Sequence, residues 1–244
     1  YRVLRRVGAG GGGGVWLVED RLADDAVMVL KRLHPQAQHG LAQWLVNEFQ
    51  IVAQLDLPTI ARVHDFGLAH ADAEDPGGPF FTRAFVDGAP LDEALAGAGA
   101  ETVRAALVST AATLRALHRL GVVHGDLKPA NLLVPTGSDR PVLIDFGLAH
   151  GALGAAARVR GGTLPFMPPE RQARLFAGEA LSPDPQADVY ALGLSFRCVL
   201  AGSAEPPPVG VAPPDRVRDD DALFALWELC GRAAADDPGR LAAS

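Results

Sequence analysis

One short polar loop of the sequence lies between two apolar segments and reads His124-Gly125-Asp126-Leu127-Lys128-Pro129-Ala130-Asn131. Asp126 can orient a hydroxyl group and accept its proton, Lys128 can offset charge on a moving phosphoryl group, and Asn131 can ligate Mg²⁺ through its side-chain oxygen. A loop that was merely polar would have no reason to combine a base, a cation and a metal ligand. The combination predicts phosphoryl transfer to a hydroxyl group.

A second candidate metal ligand follows one hairpin later. The apolar run Val142-Leu143-Ile144 leads directly into Asp145-Phe146-Gly147. An aspartate at the end of a buried strand, released by a glycine, is well placed to bind Mg²⁺. The hexapeptide Asp-Phe-Gly-Leu-Ala-His also occurs at Asp65–His70, but no comparable loop precedes that copy. We interpret the earlier copy as a strand end without chemistry.

A glycine-rich segment near the start of the chain can approach phosphate groups. Residues 8–15 fit the pattern G-x-G-x-x-G-x-V, with Gly8, Gly10 and Gly13 at the glycine positions. Backbone N–H groups in such a strand–turn–strand can contact phosphates without interference from side chains, although a flexible turn explains the glycines equally well. The segment continues as a strand after Val15, whereas a dinucleotide-binding fold or a Walker loop requires a helix there.

Lys31 closes the apolar run Val27–Leu30, and Glu48 is the only acidic residue between Leu41 and Leu55. A lysine at the end of a buried strand can simply extend to solvent. The functional interpretation is that Lys31 binds the inner phosphates of a nucleotide and forms an ion pair with Glu48. Because the position, the strand and the sole carboxylate agree, we expect the ion pair.

The elements that must position these residues change character along the chain. Apolar periodicity predicts strands before Val29, a helix over 41–55, and a strand pair over 60–68 and 80–86. After Leu91 helices dominate. The expected elements there are helices over 101–120, 187–200 and 221–235 and short strands over 122–123, 132–134 and 142–144. The outline is a strand-rich lobe with one helix, then a larger helical lobe, with the boundary near Val86.

Together these motifs resemble the catalytic domains of bacterial serine/threonine protein kinases of the eukaryotic-like type. The resemblance covers almost the whole chain, from Tyr1 to Arg240. It implies an α+β, two-lobed protein-kinase-like fold, with a small five-stranded antiparallel sheet and one helix over residues 1–86. A larger, mainly helical lobe is expected over residues 87–244, the two lobes forming one kinase domain. The resemblance also implies ATP and Mg²⁺ as cofactors and a protein substrate with a Ser or Thr acceptor.

The resemblance assigns a role to each motif residue. The catalytic residues are Asp126 and Lys128, and the metal ligands are Asn131 and Asp145. The phosphate-binding residues are Gly8, Gly10, Gly13 and Lys31, with Glu48 as the partner of Lys31. The adenine is expected between Val15, Val29 and Leu133, with its edge on the backbone from Ala84 to Val86.

Further positions resemble structural parts of the family. Asp188 resembles a buried helix aspartate that braces the catalytic loop, and Gly162-Thr163 resembles the segment that faces the acceptor residue. Pro168-Pro169-Glu170 stands where the family has Ala-Pro-Glu, and Arg240 resembles the arginine that pairs with that glutamate.

Gly125 departs from the family, which has an arginine there that receives a phosphate from the activation loop. The loop agrees with the loss of this arginine. Between Leu148 and Gly162 there is no Ser, Thr or Tyr, and Thr163 is the only hydroxyl residue before Pro168. We therefore expect that phosphorylation of the loop does not switch this domain on.

Arg83 aligns with the back of the adenine pocket, where the family usually has a neutral residue. One interpretation is a shift of one residue, which would place Thr82 inside. The other is a pocket altered at its back wall, with Arg83 paired to Glu48 in competition with Lys31. Val29 replaces the usual alanine and should narrow the adenine slot slightly.

Composition narrows the class of protein further. Hydrophobic residues make up 48% of the 244 residues, and the formal net charge of −7 argues against nucleic acid as the main partner. Cys198 and Cys230 lie in apolar stretches and are expected to be buried thiols in a reducing compartment. No apolar run is long enough to cross a bilayer, so we expect a cytoplasmic domain. Because the chain starts at Tyr1, we also expect flanking regulatory domains or an anchor outside it.

Two alternatives stay open on the residues alone. His124-Gly125-Asp126 also resembles the loop of small-molecule kinases of the aminoglycoside or choline type, but Lys128 and Asp145-Phe146-Gly147 argue against that class. The other alternative is a pseudokinase that binds nucleotide or serves as a scaffold. Arg83 and the unusual glycine run favour it weakly, whereas the presence of every chemical residue argues against it.

Overall fold

The computed structural model of the protein describes residues 1–10, 13–33, 41–70, 77–149, 162–208 and 210–235. The chain divides into two compact units, Tyr1–Val86 and Asp87–Ser244. The first is a five-stranded antiparallel sheet with one helix, and the second is mainly helical, which confirms the expected fold class. Arg240 lies outside the described residues, so its pairing with Glu170 stays a prediction.

The first unit is built on a sheet with the strand order β1-β2-β3-β5-β4, in which all neighbours are antiparallel. Its elements are β1 (Arg2–Gly10), β2 (Gly13–Asp20), β3 (Ala26–Leu33), helix α1 (Leu41–Ala53), β4 (Val63–Ala69) and β5 (Gly78–Ala84). Directly opposed residues share a face of an antiparallel sheet. Val15 and Phe81 both lie opposite Lys31, so these three side chains share one face. That face packs on α1, because the rings of Phe81 and Phe49 are 6.1 Å apart.

The first copy of the repeated hexapeptide forms the C-terminal part of β4, which ends at Ala69, as expected for a strand end. Phe66 is opposed to Phe81 and its ring lies 5.4 Å from that of Phe49 on α1. Asp65 accepts a hydrogen bond from the Tyr1 hydroxyl, and its own N–H donates to Thr82 Oγ1 at 3.1 Å. The segment stays in a strand because a complete partner, β5, runs beside it.

The second unit surrounds a central helix. Its helices are α2 (Leu91–Ala94), α3 (Ala100–Arg119), α4 (Pro169–Phe176), α5 (Pro185–Ala201), α6 (Asp215–Arg218) and α7 (Asp221–Ala233). The strands β6 (Gly88–Pro90), β7 (Leu132–Pro135) and β8 (Val142–Leu143) form a small antiparallel sheet. Every residue of α5 from Tyr190 to Leu200 is buried. Such an apolar helix is stable only inside a core, and α3 and α7 cover it.

Some elements differ from those expected. Residues 122–123 contain only an isolated bridge at Val123, not a strand, because the segment ends as the catalytic loop begins. Helix α4 begins at Pro169, in a stretch whose loop-like composition hides it.

Both cysteines are buried and unpaired, as expected, and burial raises the pKa of each thiol to about 12. Neither is therefore a nucleophile near neutral pH.

Candidate active site

In the first unit, Lys31 and Glu48 form the expected ion pair. The Lys31 ammonium donates to both carboxylate oxygens of Glu48, at 2.8 and 2.7 Å. Glu48 is 5% exposed, so the charge of this carboxylate depends on its cationic partner. Strand β3 presents Lys31 and helix α1 presents Glu48 on the face of the sheet that also carries Val15 and Val29.

The strand register decides between the two interpretations of Arg83. Arg83 is directly opposed to Val29 and therefore lies on the face that carries Lys31. Thr82 is fully buried, but it points to the opposite face, where Tyr1 and Asp65 contact its hydroxyl. The register therefore excludes the shift of one residue, whereas the back wall of the adenine pocket and a pairing of Arg83 with Glu48 stay predictions.

In the second unit, Asp126 lies at the centre of a hydrogen-bond network. Thr163 donates to Oδ1 through both its N–H and its hydroxyl, each at 2.9 Å. Lys128 donates to Oδ2 at 2.8 Å and also to the Thr163 hydroxyl at 2.7 Å. The amide of Asn131 donates to the backbone oxygen of Asp126 at 2.8 Å and to Oδ2 at 3.3 Å. The structure thus brings three predicted residues together and adds Thr163.

Asn131 and Asp145, the two predicted metal ligands, lie on neighbouring segments. Strands β7 and β8 pair at Leu132 and Leu143, and the N–H of Ile144 donates to the carbonyl of Asn131 at 3.1 Å. Asp145 follows at once, with one oxygen accepting from the Gly147 N–H at 3.0 Å. Since the amide nitrogen of Asn131 is used by Asp126, its side-chain oxygen is the atom available to a cation. Amide and carboxylate oxygens are the ligands that Mg²⁺ prefers.

Asp188 braces the catalytic loop from inside α5. Its carboxylate is 1% exposed and accepts from the N–H groups of His124, at 2.8 Å, and Gly125, at 2.9 Å. His118 of α3 contacts the same carboxylate at 2.8 Å. A buried carboxylate needs such donors, and two of them fix the backbone immediately before Asp126.

Comparison with known proteins agrees with this arrangement. Residues 1–208 match the model of the protein kinase domain family. The chain belongs to the protein kinase domain family. Among curated proteins it is similar to the serine/threonine-protein kinases PknJ, PknD and PknA of Mycobacterium tuberculosis, at 35%, 33% and 35% identity. These matches cover 84%, 99% and 80% of this chain, but only 34%, 34% and 45% of the relatives.

This kinase domain therefore spans about a third to a half of the length of those relatives, and it is of the bacterial serine/threonine type. All of them carry protein-kinase names, so the comparisons favour neither the pseudokinase nor the small-molecule kinase. In the part of the chain that the structure describes, no helix is long and apolar enough to span a membrane.

Gly125 has a backbone conformation that disfavours a side chain. Its φ is +78°, and a Cβ at this position would lie 2.8 Å from the carbonyl oxygen of Leu148. An arginine here, as in the family, would require the start of the activation segment to move. The packing around Gly125 therefore excludes the arginine that the family has at this position to bind a phosphate.

A small, partly open pocket adjoins Asp126 and Thr163 within the second unit. Its walls are about equally polar and apolar, and the apolar part includes Phe166, Met167 and Pro183. At its far end Arg171 donates to the carbonyl of Ser182 at 3.0 Å. A side chain of a bound polypeptide can enter such a cavity while a neighbouring hydroxyl reaches Asp126.

Two signals in the sequence were missed. The kinase domain has only two lysines, Lys31 and Lys128, and otherwise uses arginine as its long-chain cation. Lysine is a compact point charge, which suits contact with phosphate groups, so its confinement to these positions is informative. The second concerns Thr163: its segment was expected to face the acceptor residue, but its contacts with both Asp126 and Lys128 were not predicted. Nothing in the sequence marks His118 as a partner of Asp188.

Proposed function

We propose that this kinase domain transfers the γ-phosphoryl group of ATP to Ser or Thr hydroxyls of protein substrates. The observation that supports this best is the fixed carboxylate of Asp126, held by Thr163 and Lys128 through contacts of 2.7 to 2.9 Å. A group that aims a hydroxyl must itself have one orientation, and positioning supplies most of the catalysis in phosphoryl transfer.

The acceptor hydroxyl must displace one existing contact of Asp126. A carboxylate has about four acceptor positions, and Thr163, Lys128 and Asn131 occupy them. The contact with Asn131 is the longest, at 3.3 Å, so the hydroxyl replaces it, while the amide stays bound to the backbone oxygen of Asp126. Asp126 then orients the hydroxyl and accepts its proton, and Lys128 offsets charge on the transferred group.

Lys31, oriented by Glu48, contacts the inner phosphates, and the backbone of Gly8, Gly10 and Gly13 contacts the phosphates through N–H groups. Asn131 and Asp145 would hold Mg²⁺ through their side-chain oxygens, and the bound ion would neutralise phosphate charge. The residues proposed for the adenine are Val15, Val29, Leu133 and the backbone from Ala84 to Val86. The cytoplasm, which supplies ATP, is the proposed compartment.

The two lysines provide a direct test of nucleotide binding. Lys31 and Lys128 are similarly accessible, at 24% and 26% side-chain exposure, so an amine-reactive reagent should label both. Mg·ADP should protect Lys31 alone, since it lacks the phosphate that Lys128 contacts, and a non-hydrolysable Mg·ATP analogue should protect both. Labels are quantified by mass spectrometry. If neither nucleotide protects Lys31, the nucleotide site is wrong and a scaffold function is preferred.

Turnover is tested by transfer of labelled phosphate to a generic protein substrate. The wild type should be active, and Asp126→Asn should lower the rate by about 10²- to 10⁴-fold, the usual contribution of a general base. Lys31→Met should also lower activity strongly. A wild type that binds Mg·ATP but transfers no phosphate to any protein would contradict the proposal.

Regulation follows from Gly125 and Thr163. With no hydroxyl residue between Leu148 and Gly162, Thr163 is the only acceptor in this segment, and its hydroxyl is engaged by Asp126 and Lys128. A phosphate on Thr163 would place negative charge beside Asp126, so it would inhibit. Phosphatase treatment should therefore not lower activity. Activity that rises in proportion to phosphate on Thr163 would refute this.

A further inference from the structure

Three side chains form a stack across the outer face of the first unit's sheet. Arg6 on β1 is directly opposed to Trp16 on β2, and Arg32 on β3 is opposed to Gly14, two residues before Trp16. All three therefore lie on the face opposite to the one that carries Lys31. We call Arg6, Trp16 and Arg32 the outer clamp.

The contacts within the outer clamp are cation–π contacts on a single ring. The guanidinium carbon of Arg32 lies 5.0 Å from the centre of the Trp16 ring, and that of Arg6 lies 5.7 Å from it. Tryptophan gives the strongest such contacts, and arginine is the preferred cation. Because each residue comes from a different strand, the stack joins β1, β2 and β3 through side chains as well as through the backbone.

The outer clamp also contacts both arms of the glycine-rich hairpin. On the first arm, Arg6 Nε donates to the carbonyl of Gly8 at 3.2 Å, where the pairing of β1 with β2 is irregular. On the second arm, the Trp16 ring lies over Gly14, and a Cβ on Gly14 would be 2.3 Å from it. Only a glycine at position 14 allows the Trp16 ring to lie this close to the backbone, so the position of the ring depends on Gly14.

Such a clamp has a physical purpose in this chain. Residues 10–14 are five consecutive glycines, and glycine loses more conformational freedom on ordering than any other residue. Without added contacts the arms of the hairpin would sample many backbone conformations, and few of them direct N–H groups to a phosphate. Contacts on the outer face can restrict the arms without occupying the face that carries Lys31.

We propose that Trp16, held by Arg6 and Arg32, is a positioning residue that orders the glycine-rich hairpin for binding of the ATP phosphates. This rests on the proposed function, because it assigns the hairpin to ATP. The outer clamp acts through its contacts with the backbone of Gly8 and with Gly14, and it binds neither substrate. Its loss should therefore raise the KM for ATP and leave the KM for the protein substrate unchanged.

Hydrogen–deuterium exchange of the peptide that covers residues 7–16, without nucleotide, tests the ordering directly. Trp16→Leu should speed exchange of these amides by about tenfold, the order expected for the loss of two cation–π contacts. Trp16→Phe keeps a ring and should restore much of the protection. Arg6→Gln should act like Trp16→Leu but more weakly. Arg5→Gln is the matched control, since it removes the same charge from the adjacent position of β1 and should change nothing.

Steady-state kinetics on the same variants test the consequence. Trp16→Leu should raise the KM for ATP by about tenfold with kcat changed less than about twofold, and Trp16→Phe should recover most of the loss. The proposal is overturned if Trp16→Leu leaves exchange unchanged, if Arg5→Gln matches Arg6→Gln, or if exchange rises while the KM for ATP does not. An inactive wild type would refute the proposed function instead, and exchange would still decide whether the outer clamp orders the hairpin.

Discussion

One hexapeptide occurs twice in this chain and has two structures. In the first copy, Asp65 to Ala69 lie in β4, and Phe66 to Ala69 pair with β5. In the second copy, Asp145 to Ala149 form a turn after β8, closed by a hydrogen bond from the Ala149 N–H to the carbonyl of Phe146 at 2.9 Å. The two phenylalanines differ as well, since Phe66 is 38% exposed and Phe146 is 2% exposed.

The surroundings decide between the strand and the turn. The first copy has a seven-residue partner, β5, and a Thr82 hydroxyl that accepts from the Asp65 N–H. The second copy follows a strand of only two residues, and the last contact of that strand is the hydrogen bond from Ile144 to the carbonyl of Asn131. With no further partner strand, the chain turns, and Asp145 is left beside a catalytic loop. The same six residues have the same intrinsic preferences in both places, so their tertiary contacts decide between the strand and the turn.

The largest expected difference between the copies concerns the two aspartates. Asp145→Asn should lower phosphoryl transfer by at least about 10²- to 10³-fold, because it weakens a ligand of the metal that stabilises transition-state charge. Asp65→Asn should change the rate by less than about twofold, since Asp65 only accepts from the Tyr1 hydroxyl on the outer face of the sheet. Circular dichroism should show that both variants are folded. Equal loss of activity in the two would refute the assignment of chemistry to one copy.

The second difference concerns stability. Phe146 packs edge-on against His124, with ring centres 5.0 Å apart, in a buried site. Phe146→Ala should lower the free energy of unfolding by about 3–5 kcal/mol, as for other buried phenylalanines. Phe66→Ala should cost less, about 1–2 kcal/mol, because its partly exposed ring buries less area. Denaturant unfolding measures both, and a larger loss for Phe66→Ala would contradict the comparison.

The same contrast shows what sequence reasoning could predict. The contacts of Asp126 with Lys128 and of Glu48 with Lys31 could be expected because few structures explain those residue types at that spacing, while their roles stay predictions. The face on which Arg83 lies was left undecided, since it follows from the pairing of β3 with β5 and the sequence does not show strand register. The strand that contains Asp65 was predicted from its apolar pattern, whereas its register with β5 was not. His118 and the outer clamp were missed because residues distant in the sequence create them.

The smallest expected difference in stability concerns the packing that holds the second copy in place. Gly125 and Gly137 both have φ of +78°, but a Cβ on Gly137 would meet nothing within 4 Å, whereas one on Gly125 would lie 2.8 Å from the carbonyl of Leu148 in the second copy. Gly137→Ala should therefore lower the free energy of unfolding by only about 1–2 kcal/mol, because a side chain there meets just the unfavourable backbone conformation. Gly125→Ala should lower the free energy of unfolding by about 2–4 kcal/mol in total, because the close contact with Leu148 adds steric strain.

Kinetics on these two variants extend the test from stability to function. The strain in Gly125→Ala falls between the catalytic loop and the turn that carries Asp145, so kcat should fall for this variant and not for Gly137→Ala. If both substitutions cost the same in denaturant unfolding, the contact with Leu148 does not restrain the turn. The loss of the family's arginine would then reflect only the backbone conformation at this position. If Gly125→Ala costs more and lowers kcat, the close packing that excludes a side chain at Gly125 also holds the second copy where its aspartate is needed.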